Sequence, residues 1–117
     1  MDRNSIFSYT KRTYNTDPSY PWAKFSNYAV LRHESNNKWY GLLMKVDKNK
    51  LKLDGDEQIE ILNVKCDPAL ASILRENSSI FPAYHMNKEH WISIVLDGSV
   101  EDEEILHLLD TSYELTK

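Results

Sequence analysis

QIEILNVKCDP, residues 58–68, is the stretch of sequence that decides the fold. Isoleucine, leucine and valine predominate up to Val64, which predicts a strand over residues 58–65. Asp67 and Pro68 then predict the start of a helix. An aspartate side chain can accept hydrogen bonds from the N–H groups of a first turn, and proline at the first helical position loses none. The middle of the chain is therefore predicted to be a strand that leads directly into a helix.

Four further stretches have the composition of strands. Residues 28–33 and 39–46 are largely apolar, and the intervening Ser-Asn-Asn favours a turn, so the pair predicts an antiparallel hairpin. Residues 80–86 predict a short strand that is interrupted at Pro82. Residues 91–96 predict another strand, because β-branched side chains dominate them.

Helices are predicted on either side of these strands. Residues 2–14 contain neither Gly nor Pro and place apolar side chains near helical spacing. The helix that follows the central strand is expected to end near Asn77. Ser99 and Asp102 resemble a capping box, and the acids at 101–104 suit a first helical turn, where the helix dipole favours negative charge. The predicted buried face of this last helix consists of Ile105, Leu108, Leu109 and Ser112.

The predicted order of elements is αβββαββα. This order predicts an α+β fold, with a single antiparallel sheet of about five strands and helices packed on one face. The chain has 117 residues, which is the size of one domain, so we expect residues 1–117 to form a single domain.

Composition excludes several classes of protein. Apolar residues are 41% and charged residues 27%, as in globular domains. The single cysteine, Cys66, excludes an internal disulfide and a multi-cysteine zinc site. The apolar runs are too short for a membrane helix, and the polar N-terminus does not resemble a signal peptide. The expected location is therefore the cytoplasm.

Charge is unevenly distributed along the chain, although the net charge is only −4. Residues 97–117 hold seven acids against Lys117. Residues 32–52 carry six basic side chains against two acids. These lysines protect a solvated strand edge from aggregation, or they form a local patch that attracts phosphates. The six basic side chains are Arg32, Lys38, Lys45, Lys48, Lys50 and Lys52.

The densest polar cluster is YHMNKEHW, residues 84–91. The favoured interpretation is a hairpin turn whose side chains bond backbone groups, and the main alternative is a face that presents Lys88 and His90 to a polyanion. A metal site built from His85, His90 and Cys66 or Asp67 matches no common ligand spacing. A Cys66–His nucleophilic pair is equally weakly supported, because an isolated cysteine beside an apolar strand is usually buried. No phosphate loop or hydrolase motif occurs, so we expect no enzyme and no cofactor.

The three tryptophans are expected to serve in packing rather than in base stacking. Trp39 and Trp91 adjoin apolar strands, and Trp22 follows a proline in Tyr20-Pro21-Trp22.

Several of these motifs together resemble the MmcQ/YjbR family. The resemblance is carried by four segments: Val64-Lys65-Cys66-Asp67-Pro68, the run from Pro82 to Trp91, Leu96-Asp97-Gly98-Ser99 and Ser112-Tyr113-Glu114-Leu115. Two earlier segments, Tyr20-Pro21-Trp22 and Lys38-Trp39-Tyr40, fit the N-terminal half of the family. The family-motif residues are Lys65, Cys66, Asp67, Pro68, Tyr84, His85, Met86, Asn87, Lys88, His90 and Trp91.

The resemblance implies a CyaY/frataxin-like fold and DNA binding by a double wing, in which two β-hairpins grip a duplex. On this basis we expect a small non-enzymatic protein that contacts the phosphates of double-stranded DNA with weak sequence preference. Residues 47–57 form a lysine-rich segment, which either lengthens one wing or is only a surface loop. The expected DNA-binding residues are Arg32, Lys38, Lys45, Lys48, Lys50 and Lys52 on one wing and at its base, with Lys88 and His90 on the other.

Two other functions stay open at this point. The first is a module that binds a protein or small ligand and no nucleic acid, and an apolar patch or deep pocket would favour it. The second is an enzyme or metal protein built on Cys66, His85 and His90.

Overall fold

A computed structural model describes all residues, 1–117. The helices are α1 (Arg3–Tyr14), α2 (Pro68–Leu74) and α3 (Asp102–Thr116). The strands are β1 (Ala29–Arg32), β2 (Trp39–Asp47), β3 (Gln58–Lys65), β4 (Ile80–Pro82) and β5 (Trp91–Val95), and a short 3₁₀ helix spans Lys48–Leu51. The strands form one antiparallel sheet in the order β1-β2-β3-β5-β4. The predicted α+β fold and order of elements are confirmed.

All three α-helices pack on one face of the sheet. Successive side chains of a strand point to opposite faces, so Leu62 and Val64 of β3 face the helices. There they join a cluster of 16 buried residues that includes Ile6 of α1, Ala71 of α2 and Leu109 of α3. The predicted apolar face of α3 is buried as expected, including Ser112. The prediction of helices on one face is confirmed.

The opposite face of the sheet carries a second, smaller core of eight buried residues. No α-helix covers it; the segments around Trp22–Tyr28, Leu51–Leu53 and Tyr84–Met86 do. We call this side of the sheet the loop-covered face. Its buried residues are Val30, Leu42, Met44, Val46, Leu51, Ile59, Ile61 and Val95.

A β-bulge near the start of β2 orients two large aromatic side chains. Leu31 pairs with Gly41, but Arg32 pairs with Trp39, so Tyr40 is the additional residue. Trp39 consequently packs on the loop-covered face, whereas Tyr40 is buried among the helices. Gly41 fits beside the bulge because a Cβ there would lie 3.0 Å from Leu31 Cδ1.

Three local predictions are wrong. The expected capping box at Ser99 does not form, because Ser99 N and Oγ both bond to Asp97 and Glu101 is the residue that precedes the helix. Acids do occupy the first turn of α3, as predicted. The short strand expected over residues 80–86 ends at Pro82, and α2 ends at Leu74 rather than near Asn77. No helix is long and apolar enough to cross a lipid bilayer.

Candidate functional site

The structure distributes the expected DNA-binding residues over both ends of the sheet. Arg32 and Lys38 flank the β1–β2 turn, and Arg32 donates to Ser19 Oγ at 2.8 Å. His90 lies near the same end, because its carbonyl accepts from Cys66 N at the end of β3. Lys48, directly after β2, lies at the other end, whereas Lys50 and Lys52 lie beside Phe81 and Pro82 of β4. β2 has nine residues, which at about 3.3 Å each separates its ends by roughly 25 Å.

Three of the expected lysines meet in one hollow of about 240 Å³, which we call the lysine hollow. Lys50 and Lys52 come from the segment after β2, and Lys88 comes from the loop between β4 and β5. Lys88 Nζ donates to the carbonyl oxygen of Ala83 at 2.8 Å, which orients it. None of the five ion pairs in the structure involves these three lysines. The hollow therefore concentrates positive charge that no carboxylate of the chain neutralises within 4 Å.

The remaining two expected lysines have other surroundings. Lys48 Nζ lies 2.8 Å from Glu57 Oε2, and this ion pair closes the segment between β2 and β3. The pair raises the pKa of Lys48 and lowers the pKa of Glu57 through their hydrogen bond. Lys45 is exposed and lies between Glu60 on one side and Lys50 on the other. Lys48 thus has a structural partner, whereas Lys45 can add to the charge near the lysine hollow.

A second hollow, of about 400 Å³, is lined mainly by apolar and aromatic side chains, and we call it the aromatic hollow. Trp22 meets Trp39 edge-on at 5.6 Å between ring centroids. Phe25 stacks on Tyr28 at 4.8 Å, and Phe25 remains 49% exposed. The lining residues are Trp22, Phe25, Tyr28, Trp39, Leu42, Met44, His85, Met86 and Asn87.

Sequence reasoning missed this hollow. It correctly gave Trp22 and Trp39 packing roles, but it did not foresee that together they would leave a cavity. The available signal was the clustering of Trp22, Phe25 and Tyr28 after Pro21, which is more aromatic than a connecting loop requires.

A connecting hollow of about 380 Å³ joins the other two. It shares Phe25, Tyr28 and His85 with the aromatic hollow, and it shares Lys50 and Tyr84 with the lysine hollow. The three hollows are therefore neighbours and make up one depression on the loop-covered face, apolar at one end and lysine-rich at the other, with Asp47 also lining the connecting hollow.

Two buried polar side chains hold the wall of this depression. Asn63 of β3 and Ser93 of β5 are fully buried. Asn63 Nδ2 donates to the Tyr84 carbonyl at 2.9 Å, Tyr84 N donates to Ser93 Oγ at 2.9 Å, and the Ser93 hydroxyl donates to Asn63 Oδ1. Burying a polar group is costly unless the group makes a hydrogen bond. These three hydrogen bonds give Asn63 and Ser93 their partners and hold the backbone of Tyr84 in place. The next residue, His85, has a left-handed backbone with φ 62°.

Two more motif side chains, Asn87 and Asp67, bond backbone groups, as the interpretation of residues 84–91 as a hairpin turn expects for Asn87. Asn87 Oδ1 accepts from Glu89 N at 2.8 Å. The carbonyl of Lys88 accepts from Arg75 at 2.9 Å, which ties the turn to the end of α2. Asp67 caps α2 by accepting from Ala69 N at 3.0 Å, as the sequence predicts.

The residues of the metal and nucleophile hypotheses do not assemble. Cys66 is only 2% exposed, and burial raises the pKa of its thiol, which disfavours the reactive thiolate. No three His, Cys, Asp or Glu side chains lie close enough together to hold a metal ion.

Another cavity, of about 590 Å³, lies at the Arg32 end and is lined mostly by polar residues. Its wall includes His33, which is 4% exposed and whose Nε2 lies 2.8 Å from Thr116 Oγ1. Burial lowers the pKa of His33. This cavity shares no lining residue with the continuous depression on the other side of the sheet.

Fold and site together define a class: a small α+β protein whose sheet carries helices on one face and a ligand-sized depression on the other. The YjbR family model matches residues 12–115. The chain belongs to the YjbR family. The Bacillus subtilis protein YyaQ is 52% identical over 117 residues, covering all of this chain and 99% of that protein. The Escherichia coli protein YjbR is 35% identical over 81 residues, covering 68% of this chain and 69% of that protein.

Solved structures share this fold. A crystal structure of a Pseudomonas syringae protein has a TM-score of 0.97 and 43% identity, with complete coverage of both chains. A Deinococcus radiodurans protein has a TM-score of 0.74 and 27% identity, covering 97% of this chain and 76% of that chain.

Proposed function

We propose that this protein is a non-enzymatic nucleic-acid-binding protein that contacts phosphates through its lysine hollow. The observation that carries the proposal is the meeting of Lys50, Lys52 and Lys88, from two distant segments, without a carboxylate partner. Unneutralised lysines in one concave site attract phosphate and release its counterions on binding. Lys45 lines the connecting hollow and extends the cationic surface, whereas Arg32 and Lys38 line none of the three hollows. A nucleic-acid partner agrees with the expected cytoplasmic location.

The proposal predicts a salt dependence that can be worked out from the three lysines. If each neutralises one phosphate, log K for duplex DNA should fall with log salt at a slope of about −2.7. Lys50→Gln/Lys52→Gln should reduce the steepness of that slope by about 2. Titration of a labelled duplex at several salt concentrations measures both slopes.

The matched control is Arg32→Gln/Lys38→Gln, which removes the same charge from residues that line none of the three hollows and should leave the slope nearly unchanged. Equal effects of the two double variants would refute the assignment to the lysine hollow. If neither a duplex nor a single strand binds at about 50 mM salt with micromolar protein, nucleic-acid binding itself is refuted.

The aromatic hollow favours a second candidate function, which is binding of a small planar ligand without nucleic acid. Its volume, about 400 Å³, lies within the range of roughly 300–1,000 Å³ that is usual for small-molecule sites. Binding of small aromatic compounds, detected by quenching of Trp22 and Trp39 fluorescence, together with no binding of any oligonucleotide would support this candidate.

A further inference from the structure

The aromatic hollow lies next to the lysine hollow, and this arrangement suggests what occupies both. We infer that the aromatic hollow receives an unpaired base of the strand whose phosphates lie at Lys50, Lys52 and Lys88. The preferred ligand is then single-stranded nucleic acid. This inference rests on the proposed function and goes beyond it, since phosphate contacts alone do not distinguish a single strand from a duplex.

The shape of the hollow suits a planar ring. Trp22 packs edge-on against both Trp39 and Tyr28, at 5.6 and 5.9 Å between centroids, which fixes the indole as a wall. Phe25 stacks one face on Tyr28 and is 49% exposed, so part of its ring is available to a ligand. Bases stack on aromatic side chains of single-strand-binding proteins, largely regardless of sequence.

Polar groups at the rim suit a base better than a purely apolar guest. His85 and Asn87 line the hollow beside the aromatic rings. The His85 ring nitrogens and the Asn87 Nδ2 group can hydrogen-bond to base edges that are exposed when a base is unpaired. In a duplex those edges are paired and the ring faces are stacked, so a duplex base would have to be flipped out first.

The connecting hollow gives a continuous route from base to phosphate. Phe25, Tyr28 and His85 belong to both the aromatic and the connecting hollow, and Lys50 belongs to both the connecting and the lysine hollow. A strand lying in this depression places its bases at the apolar end and its backbone at the cationic end. A neutral aromatic compound would make no use of the cationic end, and a compact anion would make no use of the aromatic end.

The wall between these ends is held by hydrogen bonds within the protein itself. The bonds among Asn63, Ser93 and the Tyr84 backbone hold the loop on which His85 lies. His85 directly follows this supported residue and has a left-handed backbone. Binding therefore needs little ordering of the protein, which favours affinity.

The test compares a labelled oligothymidine of about 12 nucleotides with the same strand annealed to its complement, at equal salt. We expect the single strand to bind more tightly and to quench the fluorescence of Trp22 and Trp39. Phe25→Leu should weaken single-strand binding by about tenfold through lost stacking and leave duplex binding unchanged. Phe25→Tyr, which keeps a ring, should restore single-strand binding.

Tyr20→Leu is the matched control. Tyr20 lies in the same loop and is 51% exposed, close to the 49% of Phe25, but it does not line the hollow. The inference is overturned if Phe25→Leu and Tyr20→Leu weaken single-strand binding equally. It is also overturned if the duplex binds at least as tightly as the single strand. Circular dichroism and thermal midpoints check that both variants remain folded.

Failure of this inference differs from failure of the proposed function. If only the inference fails, both oligonucleotides bind equally and Lys50→Gln/Lys52→Gln weakens both. If the proposed function fails, neither oligonucleotide binds, or binding is insensitive to the lysine substitutions, and the inference falls with it.

Discussion

Ser93→Ala is the substitution that most directly tests how the wall of the depression is held. The Ser93 hydroxyl accepts from Tyr84 N and donates to Asn63 Oδ1, and both Ser93 and Asn63 are fully buried. Alanine leaves one donor and one acceptor without a partner. Each unsatisfied buried group costs about 1–3 kcal/mol, and Tyr84 N is only partly buried, so we expect a total loss of about 2–4 kcal/mol.

Thermal unfolding measures this loss. For a chain of 117 residues, an unfolding entropy of about 2.1 cal/mol/K per residue converts 2–4 kcal/mol into a fall in Tm of about 8–16 °C. Ser79→Ala is the control, because Ser79 is 9% exposed and its hydroxyl makes no hydrogen bond. It should change Tm by no more than about 2 °C.

A double variant tests whether the bonds among these residues, rather than the serine alone, provide the stability. Asn63→Leu/Ser93→Ala removes both side-chain partners, so its loss should be smaller than the sum of the two single losses. The reasoning is refuted if Ser93→Ala lowers Tm no more than Ser79→Ala does. It is also refuted if the loss of stability in the double variant equals the sum of the two single losses.

Two further predictions concern the helix-covered side. Burial lowers the pKa of His33 below its ordinary 6.5, so the unfolded chain binds the proton more readily, and the free energy of unfolding should fall as pH drops below 6.5. His33→Gln should flatten that part of the profile in denaturant titrations, and an unchanged slope would contradict the assignment. Gly41→Ala should cost about 1–3 kcal/mol in the same assay, because its Cβ would meet Leu31 Cδ1 at 3.0 Å beside the bulge. An unchanged free energy of unfolding would contradict this prediction and would mean that the bulge can relax.

Much of the fold follows from local sequence. The bounds of β3 were predicted as observed, because a run of β-branched residues ends where Asp67 and Pro68 start a helix. The buried face of α3 follows from apolar spacing alone. The segment after β2 was not recognised as a 3₁₀ helix, since alternating lysine and leucine over a few residues suits several backbones equally well. The cap of α3 was misplaced because Ser99 bonds to Asp97 instead.

The candidate site was predictable only in part. The surplus of lysines in residues 32–52 is visible in the sequence, but which of them share one hollow is not. Lys88 was singled out from its motif, yet nothing local indicates that it meets Lys50 and Lys52. The aromatic hollow was missed because sequence shows that an aromatic side chain is available to pack, but not whether its neighbours leave a space beside it.

Local chemistry, carried by residues close together in the chain, determined the elements, their order and the resemblance to one family. Tertiary structure alone decided which charges share a surface and which rings enclose a cavity. The physical reason is that strand propensity and helix capping act over a few residues. The depression is instead built by segments near residues 25, 50 and 85, which only the antiparallel pairing of the sheet and the packing of its covering loops bring together.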